Sequence, residues 1–418
     1  LPDTSASAHS FVTVAGTQFY RHGAPYRFLS ANMYFAMHLG APARAGGDRA
    51  RLTRELDQLV SLGVRNIRCL ASSEGPDTDG ILTSERTTPY RVLPSMMPSP
   101  GQYNEDLLDG LDFVMHALRA RNLTATLVLS NMWPWSGGFA QLVSWTDDSE
   151  IPYMPPAPWG DWDTYQQFAV RFYGEPVATA AFEHHVDFLL HRVNKLTQVA
   201  YASDPTILSW ELANEPRPMG EVEAYSAWVR ASASRIKAAA PRTLITIGSE
   251  GQTPFDSSYT GLNFEADHAP EDIDYATMHV WPQNWGWYDP MAMQPEATYA
   301  YAINRTLSYM RDHVDAARRL GKPLILEEFG LARDANLHAA ATPTTMRDRF
   351  FADVFSEVAA GAEAEPETHP LVAAGFWAWG GEGRPRKPRD PAHEPLDPFH
   401  LWQPGDALLG DPPHEAAG

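Results

Sequence analysis

The chain has 418 residues, and its 44% hydrophobic and 11% aromatic content is that of a folded protein with a large core, which excludes a disordered or fibrous chain. Its 52 acidic residues outnumber its 32 Lys and Arg residues, and the formal charge of −20 argues against nucleic acid and anionic membrane surfaces as partners. The one cysteine, Cys69, excludes an intrachain disulfide and a multi-cysteine zinc site.

The start of the chain and its hydropathy bear on location. Residues 1–10 are rich in Ser, Ala, Pro and Asp, which indicates a flexible N-terminus. A start at Leu1 without an initiator Met suggests a mature secreted or periplasmic protein. No run reaches the ~18 apolar residues of a membrane span, so we expect no membrane partner.

The first predicted element is a small β-hairpin. Residues Phe11 to Tyr20 and Pro25 to Phe28 are rich in β-branched and aromatic side chains and flank the turn His22-Gly23-Ala24. We expect this hairpin to cover the bottom of a larger fold.

Eight short apolar runs then have the length and composition of buried strands. They lie near Phe28–Tyr34, Val64–Leu70, Thr124–Ser130, Ile207–Asn214, Leu244–Gly248, Tyr275–Trp281, Leu324–Phe329 and Ala373–Trp377. Between them, apolar residues recur at helical spacing in Asp48–Leu62, Glu105–Arg121, Thr179–Ala200, Glu221–Ala240, Ala297–Leu320 and Thr344–Ala360. Eight alternating units predict an α/β fold closed into a single (β/α)8 barrel. The alternative, a doubly wound open sheet, lacks a Gly-x-Gly-x-x-Gly fingerprint after the first strand.

Two connections are longer than structural turns require. The first, Asn131 to Asp163, carries five Trp, and the second, Gly380 to Gly410, is rich in Pro, Arg and Asp. Each follows a predicted strand, so in a barrel both stand at the carboxyl ends of the strands, where barrel sites form. Long loops in compact folds often serve function, and we expect both to shape a site.

Two carboxylates interrupt the fourth predicted strand. Alternation in Ile207–Arg217 sends Glu211, Ala213 and Glu215 to one face, with Glu211 deeper and Glu215 at the carboxyl end. A central strand carries charges only for a reason. We expect Glu215 to be functional and Glu211 to be a structural partner of an inward Arg such as Arg68.

The seventh predicted strand ends in a second acidic pair, Glu327 and Glu328. Alternation alone does not decide which of the two points into the barrel, because both faces of this strand are mostly apolar. Two carboxylates from different strand ends, with aromatic residues around them, suit glycoside hydrolysis: one acid protonates the leaving oxygen, and the other attacks or activates water. Such a pair needs no metal, and no His-x-His or His-Glu-x-x-His pattern suggests one.

These segments resemble a known family. Asn214-Glu215-Pro216 and Glu328-Phe329-Gly330 look like the two signatures of glycoside hydrolase clan A, and the chain as a whole is similar to the mannan-degrading subfamily of glycoside hydrolase family 5. Further segments fall where that family has similar ones, and together they span most of the chain: Ala31-Asn32-Met33-Tyr34, Gly63-Val64-Arg65-Asn66-Ile67-Arg68, Asn131-Met132-Trp133 and His279-Val280-Trp281.

The resemblance implies that residues 11–418 form one glycosidase domain, monomeric and without a cofactor, that cleaves β-1,4-mannosidic bonds with retention. It implies Glu215 as the acid/base and Glu328 as the nucleophile, with Glu327 pairing behind the site. A dry site beside another carboxylate is expected to raise the pKa of Glu215. The other implied roles are a charge partner for Glu328 at Arg68, a hydrogen bond to the sugar 2-hydroxyl at Asn214, and a sugar platform at Trp377, with Trp379 as a close rival. The remaining candidates for substrate binding are Asn32, Tyr34, Trp133, His279, Trp281 and Trp285.

The sequence departs from the family at one position and leaves the mode of cleavage open. Where the family usually has His-x-Tyr, this chain has His279-Val280-Trp281, and an indole can donate a hydrogen bond but cannot accept one. Internal cleavage of mannan and removal of end sugars are equally compatible with the sequence. A glucan-cleaving relative and a non-catalytic carbohydrate-binding barrel are two further interpretations, although both acids of a catalytic pair are present.

Overall fold

The computed structural model describes residues 10–77, 92–152, 160–336, 342–365 and 367–382. The predicted hairpin is confirmed as part of a three-stranded antiparallel sheet of β1 (Thr13–Ala15), β2 (Gln18–Arg21) and β3 (Ala24–Pro25). Its Val12 and Phe19 side chains pack against Leu208, Leu244 and Ile325 from the barrel strands. The sheet therefore covers the amino-terminal end of the barrel, as predicted.

Eight parallel strands confirm the barrel. They are β4 (Phe28–Asn32), β5 (Val64–Leu70), β6 (Thr124–Val128), β7 (Ile207–Glu211), β8 (Leu244–Thr246), β9 (Ala276–Val280), β10 (Leu324–Phe329) and β11 (Leu371–Phe376). Each pairs with its sequence neighbour, and β11 returns to β4. Between β8 and β9 the ring closes through irregular hydrogen bonds, from Asp274 N to Ile245 O at 2.8 Å and from His279 N to Glu250 O at 2.9 Å.

The helices lie where the apolar spacing predicts most of them. They are α1 (Ala36–Gly40), α2 (Arg49–Ser61), α3 (Glu105–Arg119), α4 (Gly138–Asp147), α5 (Trp162–Ala169), α6 (Pro176–His191), α7 (Val222–Ala239), α8 (Ser257–Thr260), α9 (Phe264–His268), α10 (Pro295–Leu320) and α11 (Thr345–Ala364). In α2 the Asp48 side chain accepts from Arg51 N at 2.8 Å and caps the helix, while Leu52, Leu56 and Leu59 are buried. None of the described helices is long and apolar enough to cross a membrane.

Two predicted segments differ from the structure, and a third lies largely outside it. The predicted helix Thr179–Ala200 ends at His191, because the chain turns back there and Asn194 and Val199 close a short hairpin of their own. The connection Asn131 to Asp163 is not a simple loop, since it contains α4, whose Phe139 and Leu142 join the core. Most of the second long connection, from 383 onward, and residues 1–9 lie outside the described residues.

Inward-facing side chains alternate with outward-facing ones along each strand, so they form layers across the barrel interior. Two of these layers contain polar side chains from β4 and β5. In the lower layer, Ser30 Oγ donates to Asn66 Oδ1 at 2.8 Å, and Asn66 Nδ2 donates to Thr124 Oγ1 at 3.0 Å. Two residues further along β4 and β5, the same alternation places Asn32 and Arg68 in the layer above. This upper layer is the floor of the site.

Candidate active site

Arg68 is the centre of the floor. Its guanidinium binds Glu211 through two hydrogen bonds of 2.7 and 2.5 Å and donates to Asn32 Oδ1 at 2.9 Å. It also donates to Asn214 Oδ1 at 2.8 Å and to Glu328 Oε1. The predicted pairing of Glu211 with Arg68 is confirmed, and the same cation also contacts Glu328. Five hydrogen bonds to four side chains fix the position of this buried guanidinium.

Strand alternation does not account for the position of Glu215, although the residue does lie in the site. The fourth barrel strand ends at Glu211, and Glu215 lies beyond it with a φ of +52°, in the left-handed region. Its carboxylate accepts from Trp133 Nε1 at 2.5 Å and contacts His279 Nδ1 at 2.6 Å. Glu215 is 6% exposed, so these two contacts set its orientation.

A shift in strand register brings both adjacent acids of β10 to the site. Between Leu326 and Glu328 the pairing with β9 slips, so that Glu328 lies opposite His279. Glu328 Oε2 is 3.6 Å from His279 Nδ1, and Glu327 Oε2 is 3.6 Å from His279 Nε2. The expectation that one of the pair points inward is therefore wrong, because a local irregularity interrupts the alternation. Glu327 lies behind the imidazole, as the resemblance implied.

His279 is buried among three carboxylates. Burial alone lowers the pKa of an imidazole, but the charge of Glu328 and the contacts with Glu215 and Glu327 outweigh it and hold the pKa of His279 well above its usual value. We therefore describe His279 as an imidazolium at neutral pH. One oxygen each of Glu215 and Glu328 and one ring nitrogen of His279 lie within 4.8 Å of one another. The Glu328 carboxylate already accepts from Arg68 and the Glu215 carboxylate accepts from protonated His279, so these atoms are poor ligands for a metal ion.

The sequence analysis expected a raised pKa for Glu215, but in the structure the pKa of Glu215 is lowered and that of Glu328 is raised. Burial raises the pKa of Glu215, but hydrogen bonding and charge from His279, with Arg217 and Trp133 adding to them, bring the pKa below its usual value in the free enzyme. For Glu328, burial raises the pKa, and the charges of His279 and Arg68 oppose it only in part. The resemblance implied that Arg68 is a charge partner of Glu328, and the structure places it there, but nothing in the sequence indicated that His279 would donate to Glu215.

Aromatic side chains wall the site. A cavity of about 220 Å³ is lined by Trp133, Trp135, Asn214, Glu215, Trp281, Glu328 and Trp377. Trp377 stacks on Tyr34, with ring centroids 5.5 Å apart, and both line an adjoining cavity. Trp379, the rival candidate for the sugar platform, is not among the described residues that line these two cavities, and its Nε1 donates to Glu55 on α2 at 3.2 Å. Trp285 is 9% exposed and packs on Tyr309 at 5.1 Å, behind the lining.

The sequence analysis missed a buried ion pair beside Glu215. Arg217 Nε and Nη2 donate to the two carboxylate oxygens of Glu250 at 2.7 and 2.9 Å, and Arg217 Nη1 donates to Gln166 Oε1 at 2.9 Å. The guanidinium lies 4.9 Å from the ring of Trp133. The signal was available, because Arg217 directly follows Glu215-Pro216 and Glu250 follows the fifth barrel strand, where an acid at a strand end is a candidate site residue.

A family model described as GH family 5 beta-mannosidase-like matches residues 9–418. The chain belongs to glycoside hydrolase family 5. The barrel, the two strand-end acids and the aromatic walls described above are thus those of a family 5 glycoside hydrolase, and the enzyme class that the resemblance implied is confirmed.

Relatives of this family 5 enzyme include proteins named as mannosidases and proteins named as endo-acting mannan hydrolases. A family 5 mannosidase from Rhizomucor miehei is 36% identical, with a TM-score of 0.82, over 98% of this chain and 92% of that one. An endo-1,4-beta-mannanase from the same fungus is 24% identical with a TM-score of 0.62, over 88% and 90%. Mannan endo-1,4-beta-mannosidase 4 from Oryza sativa subsp. japonica is 31% identical over 89% of this chain and 74% of its own length.

Proposed function

We propose that this enzyme hydrolyses β-1,4-mannosidic bonds with retention at C1, with Glu328 as nucleophile and Glu215 as acid/base. The observation that carries the proposal is the spacing of the two carboxylates, whose nearest oxygen atoms lie within 4.8 Å of each other. Retaining glycosidases hold their carboxyl groups about 5 Å apart, whereas inverting enzymes leave ~6.5–9.5 Å for a water. The relatives are named as mannosidases, and from these names we infer that the substrate is a β-mannoside.

The first step forms a bond between a Glu328 oxygen and C1 while the bond from C1 to the glycosidic oxygen breaks. In the free enzyme His279 holds the proton in its hydrogen bond to Glu215. When Glu328 becomes an ester it loses the negative charge that favours the imidazolium. As this charge is lost in the transition state, the proton passes from His279 to Glu215 and on to the leaving oxygen while the bond from C1 to that oxygen breaks.

The second step reverses these transfers. Glu215 takes a proton from a water that attacks C1, and the ester bond to Glu328 breaks. Glu328 regains its charge and its hydrogen bond from Arg68, and His279 again holds the proton. Arg68 and His279 thus stabilise the ionised nucleophile before attack and after release.

We further propose that the enzyme removes single mannose units from chain ends. All seven described side chains that line the 220 Å³ cavity are less than 10% exposed, including Trp281 at 5% and Trp377 at 2%. An open groove that accommodates a polymer interior would expose its walls. A narrow site with buried walls suits one terminal sugar.

Proton NMR during hydrolysis of mannohexaose tests both proposals. We expect β-mannose to appear first, with mannopentaose as the other early product. Early α-anomer would contradict the retaining mechanism, and an early ladder of mannobiose and mannotriose would contradict end cleavage. The Glu328→Ala variant, purified in the same way, controls for contaminating mannosidases.

The hydrogen bond from Trp133 gives a prediction about pH. It stabilises ionised Glu215 and so helps to lower the pKa of this group. In Trp133→Phe the Glu215 carboxylate becomes more basic and holds the proton that it shares with His279 more tightly, so the basic limb of the kcat/KM profile, where this proton is lost, moves to higher pH. Trp281→Phe is the control, because Trp281 lines the same cavity and its indole is not a hydrogen-bond partner of Glu215 or Glu328 in the described part of the chain. An equal shift in both variants, or a shift to lower pH in Trp133→Phe, would contradict this role of Trp133.

A further inference from the structure

Three aromatic residues surround Arg217 and Gln166 in the segments that follow the third and fifth barrel strands: Arg217 lies over the Phe255 ring, and Gln166 bonds to the Tyr259 hydroxyl and the Trp162 carbonyl. Phe255 and Tyr259 are each 39% exposed, and Trp162 is half-buried. We call these three residues the aromatic patch. An exposed apolar residue on its own is common, whereas a cluster of them often marks a binding site. Among the described residues, Tyr301 is the other aromatic side chain of comparable exposure, at 55%, and it lies on α10.

The aromatic patch is tied to Glu215 and not to Glu328. The Arg217 guanidinium lies between two rings, 5.4 Å from Phe255 and 4.9 Å from Trp133, and Trp133 Nε1 donates to Glu215. The ring of Trp162 lies 5.3 Å from the ring of Trp133, edge to face. The partners of Glu328, by contrast, are Arg68 and His279.

Polar groups hold the aromatic patch in place and offer hydrogen bonds at its edge. The Tyr259 hydroxyl donates to Asp163, and Gln166 Nε2 donates to the same hydroxyl at 3.4 Å. Gln166 also accepts from Arg217, so the rings and the buried ion pair form one connected unit. The Asp163 carboxylate is solvent-exposed and can accept hydrogen bonds from hydroxyl groups.

We propose that the aromatic patch binds mannosyl units of the leaving group. The proposal rests on the assignment of Glu215 as acid/base, because the oxygen that Glu215 protonates belongs to the leaving group. The sugars attached to that oxygen therefore lie on the Glu215 side of the site. Pyranose rings present apolar C–H faces to aromatic rings, and their hydroxyls suit Asp163 and Tyr259. The proposed ligand is therefore the leaving-group portion of a manno-oligosaccharide.

Kinetics of a double variant, Phe255→Ala with Tyr259→Ala, test this role. The measured quantity is the ratio of kcat/KM for mannotetraose to kcat/KM for an aryl β-mannoside, whose leaving group is too short to span the patch. We expect this ratio to fall about tenfold, mainly through KM for mannotetraose, as two stacking contacts are lost. Tyr301→Ala is the matched control and should leave the ratio unchanged. The pair Phe255→Tyr and Tyr259→Phe keeps both rings and should keep most of the ratio.

The outcomes separate this inference from the proposed function. A ratio that stays the same, because both substrates lose activity equally or neither does, would overturn the leaving-group role. Hydrolysis of both substrates by the wild-type enzyme would still support the proposed function in that case. A wild-type enzyme that cleaves neither mannoside would overturn the proposed function, and this inference with it.

Discussion

Replacing either Glu215 or Glu328 with Ala is expected to reduce kcat on mannobiose by at least about 100-fold, with the fold retained. A group that transfers a proton in the transition state contributes ~10²–10⁴ in rate, and without Glu328 no glycosyl-enzyme can form. Both side chains stand beyond or at the end of their strands, above the packed layers. Circular dichroism and thermal unfolding would check the fold.

A buried acid outside the site provides the matched control. Asp112 is 1% exposed and binds Arg192 with hydrogen bonds of 3.0 and 2.8 Å. Asp112→Asn should lower stability while kcat remains close to that of the wild type. A similar loss of kcat in all three variants would indicate general damage and would contradict the assigned roles.

Azide distinguishes the two acids from each other. In Glu215→Ala the glycosyl-enzyme still forms from a mannoside with an activated aryl leaving group, and azide can attack C1 without a general base. We expect faster turnover and a β-mannosyl azide product. If azide instead gives the α-azide with Glu215→Ala and the β-azide with Glu328→Ala, the two roles are exchanged.

How much of this site the sequence could predict depended on whether a residue follows strand alternation. Asn32, Arg68 and Glu211 lie inside regular strands, and alternation placed Glu211 beside Arg68 correctly. Glu327 and Glu328 could not be separated, because a register shift directs both towards His279. Such a shift depends on pairing with β9, which is distant in sequence, and no local pattern reports it.

Charges were harder to predict than positions. Burial and a neighbouring acid led to the expectation of a raised pKa for Glu215, and burial does act in that direction. The hydrogen bond and charge of protonated His279, with Arg217 and Trp133, outweigh it, and the imidazolium is stabilised by Glu327 and Glu328 of β10 and by Glu215 itself. Helix α4 was missed for a similar reason, since its Gly-rich start gives a weak helical signal and tertiary packing of Phe139 stabilises it.

Removing the guanidinium of Arg68 is expected to affect both stability and activity. In Arg68→Met, Glu211 and Glu328 stay buried without their main cationic partner, and a broken buried ion pair costs about 3–5 kcal/mol of unfolding free energy. Denaturant titration would measure this loss. The charge of Arg68 also lowers the pKa of Glu328, so any remaining activity should have its acidic limb at higher pH.

A second substitution separates the structural from the chemical effect of Arg68. Burial raises the pKa of Glu211 to about 7 even beside Arg68, which shows how costly its charge is. In the double variant Arg68→Met with Glu211→Gln that charge is gone, so part of the lost unfolding free energy should return. Activity should not return, because Glu328 still lacks the cation that stabilises it as a carboxylate nucleophile. Recovery of both together would mean that Arg68 only holds the barrel floor in place, and recovery of neither would mean that its hydrogen bonds to Asn32 and Asn214 are what the floor depends on.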